Sequence, residues 1–171
     1  DSVASRGLGD VYKRQPYTDS KARGIMWGLS LSHTPLHVYH AIMEAVAFGT
    51  AFNFKKMEDA GFKFDQVTVC GGATKSPLWM QMHADVSGKP LVKTEVGDAV
   101  VLGTCILAAV GSGQYANIQE AAANMVHETE RIEPDPETHE EYQFYLQKYM
   151  ESYPAMQELT HELVDHVAAG E

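Results

Sequence analysis

The sequence predicts an α/β domain in which helices cover a parallel or mixed sheet and a long helix closes the chain. Short β-branched runs alternate with stretches of helical length, and glycines or hydroxyl–proline pairs mark the boundaries between them. The composition, 44% hydrophobic and 21% charged over 171 residues, is typical of one globular domain or of one half of a larger enzyme, and argues against disorder.

The first part of the chain contains a leader, one strand and one long helix. Residues 1–15 have no periodicity and resemble a disordered tail or translated adaptor DNA, so we expect the native domain at 16–171. The stretch GIMWGLSL at 24–31 predicts a short strand. Thr34 and Pro35 predict a helix start, and the helix should end at Gly61. Because its middle is apolar nearly all round, we expect it to be buried on more than one side.

The rest of the chain continues the alternation of strands and helices. The predicted elements are a strand at 67–70, a helix at 77–86, a strand at 91–93, a helix at 98–110 capped by Asp98, a short helix over NIQEAAANMV, an extended spacer at RIEPDPE, and a long helix with Tyr142, Tyr145, Leu146 and Tyr149 on one apolar stripe. Strands separated by helices of this length need crossover connections, which favours parallel pairing.

The net charge of −10 is concentrated at the C-terminal end, because residues 128–171 hold 12 acids and only two bases. Such a run usually forms a solvated helical face, and it disfavours nucleic acid and anionic membranes as partners. The two cysteines, Cys70 and Cys105, lie in apolar runs outside any Cys-x-x-Cys pair. We expect them to be buried thiols in a reducing compartment, and with no signal peptide or membrane span the cytoplasm is the expected location.

The stretch VTVCGGATKSPLW raises the main functional question. Two glycines, Gly71 and Gly72, follow a strand, and Ser76 and Pro77 then start a helix. Glycine here allows a positive φ or the close approach of a ligand, and the free N–H groups of the helix point back toward the turn. A tight packing turn is the alternative. The stretch is neither a Walker loop nor a Gly-x-Gly-x-x-Gly fingerprint.

Four stretches together resemble one protein family in the right order and with compatible spacing. They are PYTDSKARGIMWGLSLSHT, YHAIMEAVAFGT, VCGGATKSPLWMQMHADVSGKPL and VVLGTCILAAVGSGQY. The chain resembles the C-terminal half of the FGGY carbohydrate kinases. The resemblance implies an actin-like, ribonuclease H-like domain that forms one wall of an ATP cleft, in an enzyme that transfers the γ-phosphoryl of ATP to a sugar hydroxyl with magnesium.

In that family the glycine pair approaches the adenosine, which by resemblance assigns nucleotide contacts to Gly71, Gly72 and Ala73. Ser76 stands where glycerol kinases place an asparagine that touches the base. Because serine is shorter, its contact is either bridged by water or lost to helix capping. The family's catalytic aspartate and first phosphate loop belong to the N-terminal half, and no acid here matches that aspartate. No catalytic residue and no magnesium ligand is therefore assigned to this chain, and we expect it to have no kinase turnover alone.

Other polar residues have both a functional and a structural interpretation. His33, His37 and His40 form a His-x-x-x-His-x-x-His string in which the last two have ligand-like spacing, but polar residues around a helix start are the favoured interpretation. Glu44, alone in an apolar helix, is favoured as a hydrogen-bonded structural residue over a general base. The charged loop Asp19, Lys21 and Arg23 faces the cleft in the family; a phosphate contact by Arg23 is the alternative to solvated loop charge.

The main hypothesis is thus the adenosine-binding half of a kinase for a ketopentose or related polyol. Its expected partners are a small sugar substrate and the missing N-terminal domain, with a homodimer possible because a fragment separated from that domain exposes an apolar face. A second hypothesis is a non-catalytic actin-like nucleotide-binding or interaction module whose acidic tail helix docks a partner. A dehydrogenase-type Rossmann domain is disfavoured by the missing fingerprint.

Overall fold

The computed structural model describes Tyr17 and residues 19–170. The leader 1–15 lies outside the described residues. The helices and strands, in chain order, are α1 Pro35–Asp59, β1 Val67–Val69, a short 3-10 helix Gly72–Lys75, α2 Pro77–Ser87, β2 Leu91–Thr94, α3 Ala99–Gly111, α4 Ile118–Met125, β3 Glu128–Ile132 and α5 Pro136–Ala169. The chain divides into two compact units: one is residues 63–140, and the other comprises the residues on either side of that range.

The unit of residues 63–140 is built on a three-stranded mixed sheet of order β1-β2-β3. β1 runs parallel to β2, with Val67 opposite Leu91, and β3 is antiparallel to β2, with Ile132 opposite Leu91. The core of this unit forms where α2 packs on the sheet, through Met80, Ala84 and Leu91. The predicted mixed sheet and the four helices α1 to α4 are confirmed to within a few residues.

One strand was missed and one was wrongly predicted. β3, Glu128–Ile132, is an edge strand whose exposed charged side chains do not show an apolar strand pattern. The spacer predicted at RIEPDPE is accordingly shortened to residues 133–135. Conversely, residues 24–30 form no regular structure. Their sequence suits a strand, but no described strand lies beside them to accept their backbone hydrogen bonds.

In the other unit, α1 packs against α5 along one stripe only. The buried residues of α1 are Met43, Ala47, Phe48, Ala51 and Phe52. The ring of Phe48 contacts Tyr142 and Tyr149 of α5, with centroids 5.9 and 5.8 Å apart. On the α5 side Leu146 is buried, whereas Tyr145, which we expected on the same stripe, is exposed.

Burial of α1 on a second side was wrongly predicted. Tyr39, Ile42 and Val46 are exposed on another face of this helix. α3 likewise exposes Val100 and Leu107, although its sequence is almost entirely apolar. These faces are as apolar as buried surfaces usually are, but no described element covers them.

Both cysteines are exposed free thiols, so the expected burial of Cys70 and Cys105 is also wrong. Cys70 directly follows β1 and precedes Gly71. Cys105 lies on α3, whose apolar surface is largely exposed. No described helix is long and apolar enough to cross a lipid bilayer.

Candidate functional site

The candidate site lies where β1 and β2 end. Because the two strands are parallel and adjacent, their carboxyl ends share one edge of the sheet, and α2 and α3 begin beyond that edge. Open α/β sheets bind ligands in such crevices, toward which helix N-termini point. The four sequence-predicted site residues, Gly71, Gly72, Ala73 and Ser76, all lie in the single turn between β1 and α2 and are exposed.

Gly71 has a backbone conformation that only glycine adopts easily, with φ +86° and ψ −171°. Its N–H donates to the carbonyl oxygen of Gly97 at 3.0 Å, and its carbonyl accepts from the Thr74 hydroxyl at 2.8 Å. The turn is therefore fixed on both sides by hydrogen bonds. The hydrogen bond from Gly71 to Gly97 joins the two loops that follow β1 and β2.

Gly72 is the more informative glycine of the pair. Its φ is not positive, and a Cβ built on it would meet nothing within 4 Å. Neither conformation nor packing within the described chain therefore excludes a side chain at this position. A Cβ at Gly71 would also meet nothing within 4 Å, so the surface over both glycines is open and a planar group could lie directly on the main chain.

Ser76 and Ala73 complete the turn. Ser76 caps α2, because its Oγ accepts from the N–H of Trp79 at 3.3 Å, and its own N–H donates to the carbonyl of Ala73 at 3.2 Å. The hydroxyl hydrogen of Ser76 is not used by this cap. Asp98 caps α3 as expected, its Oδ1 accepting from the Val101 N–H at 3.1 Å.

Sequence reasoning missed Gly97 as a supporting residue. The signal was present, because Gly97 follows β2 and directly precedes the cap of α3. Two adjacent parallel strands bring their following loops together. A glycine in the second loop was therefore a candidate neighbour of the glycine pair in the first.

The histidine string contributes to the start of α1. Nδ1 of His33 accepts from the N–H of Ser30 at 2.9 Å, and Nδ1 of His37 accepts from the N–H of Thr34 at 3.0 Å. Both rings thus satisfy backbone donors at the helix start, in agreement with the favoured interpretation. Among the described residues, no group of three or more His, Cys, Asp or Glu side chains converges as metal ligands would.

Glu44 is hydrogen-bonded, as expected. Its Oε1 accepts from the hydroxyl of Tyr142 at 3.1 Å and lies 3.3 Å from Nδ1 of His40. This arrangement ties α1 to α5 within their unit. It gives Glu44 a structural role in that contact.

The charged loop before α1 differs from the expectation of solvated charge. Asp19 is largely shielded, and its Oδ2 accepts from both His161 Nε2 and the Tyr153 hydroxyl at 2.6 Å. These two hydrogen bonds, that from His161 above all, lower the pKa of Asp19 well below its usual range. The bond to Asp19 in turn raises the pKa of Tyr153 to about 12. Lys21 pairs with Asp165 of α5 at 2.6 Å.

Arg23 is held locally rather than by α5. Its guanidinium donates to the carbonyls of Ser20 and Ala22 at 3.2 and 2.9 Å. These bonds use one guanidinium nitrogen, Nη1, and leave the side chain exposed. The structure therefore provides a contact for Arg23 within its own loop.

Comparison with known proteins shows the family to which this chain belongs. The C-terminal domain of the FGGY family of carbohydrate kinases matches residues 10–112. An FGGY carbohydrate kinase domain-containing protein of Xenopus laevis is 36% identical over 80% of this chain and 25% of its own length. A Mycolicibacterium smegmatis ribulokinase is 35% identical over 81% of this chain and 25% of its own length.

Solved structures agree with these sequence matches. The crystal structure of xylulose kinase from Rhodospirillum rubrum superposes with a TM-score of 0.73 and 30% identity, covering 84% of this chain and 29% of that one. The proteins matched are thus carbohydrate kinases with an actin-like ATPase fold, which confirms the predicted fold class. The chain belongs to the FGGY family of carbohydrate kinases, within which it corresponds to the C-terminal domain. It spans about a quarter of the length of the relatives it matches.

Proposed function

We propose that this chain is the adenosine-binding part of an ATP-dependent sugar kinase, spanning residues 16–171 after a leader at 1–15. The whole enzyme would transfer the γ-phosphoryl group of ATP to a hydroxyl of a ketopentose or related polyol. The substrate class is supported by relatives named ribulokinase and xylulose kinase. A cytoplasmic location is supported by the two free, exposed thiols, which suit a reducing compartment.

The observation that carries the proposal is the open surface over Gly72. Adenine is flat, and it can stack on bare backbone only where no Cβ stands between them. We assign nucleoside contacts to Gly71, Gly72 and Ala73, and a hydrogen bond from the Ser76 hydroxyl to the base or its water. That hydroxyl can cap α2 as an acceptor and still donate to a ligand.

The remaining machinery is assigned to a preceding N-terminal domain. Phosphoryl transfer needs a group that positions the sugar hydroxyl, a phosphate cradle and acidic ligands for Mg²⁺. Within that enzyme, this chain would hold and orient the nucleoside while the preceding domain supplies the carboxylates and binds the sugar.

The exposed apolar faces support a partner domain. Ile42 and Val46 of α1, and Val100 and Leu107 of α3, are large apolar side chains left uncovered. Covering them against the preceding domain would remove apolar area from water, which stabilises the assembly. When that domain is absent, we propose that these same faces form a homodimer.

The experiment that tests the proposal is calorimetric titration of ADP, and separately of NADH, into the purified chain. We expect ADP to bind, Gly72→Val to abolish that binding, and Gly24→Val to leave it unchanged. Gly24 is the matched control because its Cβ position is equally open, with nothing within 4 Å. Tight NADH binding, or ADP binding that survives Gly72→Val, would overturn the assignment.

A kinetic experiment tests the division of labour. The purified chain mixed with ATP, Mg²⁺ and a panel of ketopentoses should produce ADP no faster than the same mixture without protein, since we assign the catalytic carboxylate to the preceding domain. Robust sugar phosphorylation by the chain alone would refute the assignment of catalysis to another domain.

A further inference from the structure

The last four turns of α5 present an apolar stripe to solvent. Leu159, Leu163 and Val167 follow one another at four-residue intervals, and their side chains are 57, 58 and 55% exposed. Met156 precedes Leu159 by three residues, so the spacings are three, four and four residues, which place the stripe on one face of the helix.

The stripe continues into a cavity of about 530 Å³ in the same unit. The irregular segment Ile25, Met26 and Trp27 forms one wall of this cavity. α5 forms the other wall with Lys148, Glu151, Ser152, Ala155 and Met156. Met156 belongs both to the cavity lining and to the stripe. We call the two together the α5 groove: the 530 Å³ cavity followed by Leu159, Leu163 and Val167.

The opposite face of the same helix is held in place. Tyr153 and His161 donate to Asp19, Thr160 is buried, and Asp165 pairs with Lys21. The end of α5 is therefore anchored by its polar face. Its apolar face is exposed to solvent. A helix of an isolated domain normally does the opposite, because burying the apolar face removes apolar area from water.

The charged residues beside the groove indicate which kind of partner can bind there. Glu151, Glu158 and Glu162 recur at spacings of seven and four residues, along one side of the stripe. Glu151 pairs with Lys148, but neither Glu158 nor Glu162 has an ion-pair partner among the described residues. From residue 149 to the end the sequence contains no Lys or Arg.

A second copy of the chain would bring two such acidic rows together, and an anionic membrane would meet the same repulsion. We propose that the α5 groove binds an amphipathic helix of a partner protein, whose apolar residues lie at three- and four-residue spacing and are flanked by Lys or Arg. A large apolar side chain of that helix fills the cavity beside Trp27, and its basic residues pair with Glu158 and Glu162. This proposal does not depend on nucleotide binding or on phosphoryl transfer.

The probe for this proposal is a fluorescent synthetic helix of leucine and lysine, with leucines at that spacing, titrated against the full chain by anisotropy. Its counterpart with glutamate for lysine tests charge. We expect one helix bound per chain, and no binding of the glutamate peptide. Leu163→Gln and Glu162→Lys should each weaken binding about tenfold.

Two control variants make the result specific to the groove. Leu78→Gln alters a leucine of the same exposure as Leu163, 58%, on α2, and Glu95→Lys makes the same charge change at another exposed acid. Both should bind the peptide as the parent chain does. Far-UV circular dichroism confirms that every variant is folded, so that a lost signal reports the groove.

Three results would overturn the proposal. The first is peptide binding that is absent, or that groove and control variants weaken equally. The second is a dimer, seen by sedimentation, that dissociates on Leu163→Gln, because the occupant would then be a second copy. The third is binding to vesicles containing phosphatidylserine that Leu163→Gln abolishes, which would make the groove a membrane contact.

Discussion

Asp19 and His161 are 142 positions apart in the chain, yet Nε2 of His161 lies 2.6 Å from Oδ2 of Asp19. Tyr153 donates to the same carboxylate oxygen at 2.6 Å, and the N–H of Lys21 donates to the other oxygen at 2.8 Å. One carboxylate therefore fastens the irregular segment before α1 to the C-terminal half of α5. The contact lies within the unit that contains α1 and α5.

This carboxylate predicts a pH dependence of stability. The hydrogen bonds from His161 and Tyr153 lower the pKa of Asp19 in the folded chain. A group with a depressed folded pKa stabilises the fold fully above its unfolded pKa, about 3.9, and that contribution is lost as pH falls below this value. We expect Asp19→Asn to lower the urea midpoint at pH 7. At acid pH, where the Asp19 carboxyl is also uncharged, the two proteins should have the same urea midpoint.

The measurement is urea unfolding of both proteins from neutral to acid pH. Asp65→Asn serves as the control, because Asp65 has no hydrogen bond or ion pair among the described residues. A constant difference between parent and Asp19→Asn at every pH would contradict the prediction, since it would show that the loss does not depend on the charge of Asp19.

Gly88 predicts a second effect on stability. It ends α2 with φ +65°, and a Cβ there would lie 2.5 Å from Cε1 of His139. That ring is held by a 2.7 Å hydrogen bond between its Nδ1 and the carbonyl of Asp85. Gly88→Ala therefore combines backbone strain with a steric clash, and we expect it to destabilise the fold by roughly 2–4 kcal/mol.

Gly113→Ala separates the two causes of that loss. Gly113 has φ +80°, but a Cβ there would meet nothing within 4 Å. It should therefore cost only the strain, roughly 1–2 kcal/mol. Chemical unfolding of the two variants provides the comparison, and equal losses would show that the His139 ring moves aside freely.

The core of the unit that contains α1 and α5 provides a third prediction. Phe48 is buried and its ring contacts Tyr142 and Tyr149. Phe48→Ala should leave a cavity between α1 and α5 and cost about 3–5 kcal/mol. Phe144→Ala on the exposed side of α5 should change stability by less than about 1 kcal/mol. Similar losses in thermal unfolding would mean that the two helices do not depend on this contact.

The fold was predictable wherever local chemistry decides structure. Thr34 and Pro35 begin α1, Asp98 caps α3, and Gly61 follows the end of α1, as the sequence indicated. These signals depend on a few adjacent residues and on backbone geometry. The glycine turn was predictable for the same reason, because glycines between a strand and a helix cap indicate an open backbone.

Long-range side-chain contacts were not predictable. The pairing of Asp19 with His161 joins distant parts of the sequence, and local patterns contain no information on it. The hydrogen bond of Gly71 to Gly97 was missed for a different reason, because finding it requires knowing that β1 and β2 are adjacent and parallel. Exposure was misjudged for a related reason. Apolar periodicity shows which faces avoid water, but not whether the partner surface lies in the same chain, and so Ile42 and Cys105 were wrongly expected to be buried.

Ser76 provides the last prediction, because two roles meet at one hydroxyl. Its oxygen caps α2, so Ser76→Ala should cost about 1 kcal/mol of stability. If the hydroxyl also donates toward the nucleoside, as we propose, the same variant should weaken ADP binding severalfold.

Asn117→Ala is the matched control for Ser76→Ala. Asn117 caps α4, its Oδ1 accepting from Glu120 N–H at 2.9 Å, so the variant should lose a similar stability and keep its affinity for ADP. Unfolding in urea and calorimetric titration of ADP measure the two quantities on the same samples. Unchanged ADP affinity in Ser76→Ala would restrict Ser76 to helix capping, because the open turn would then hold the nucleoside through main chain alone.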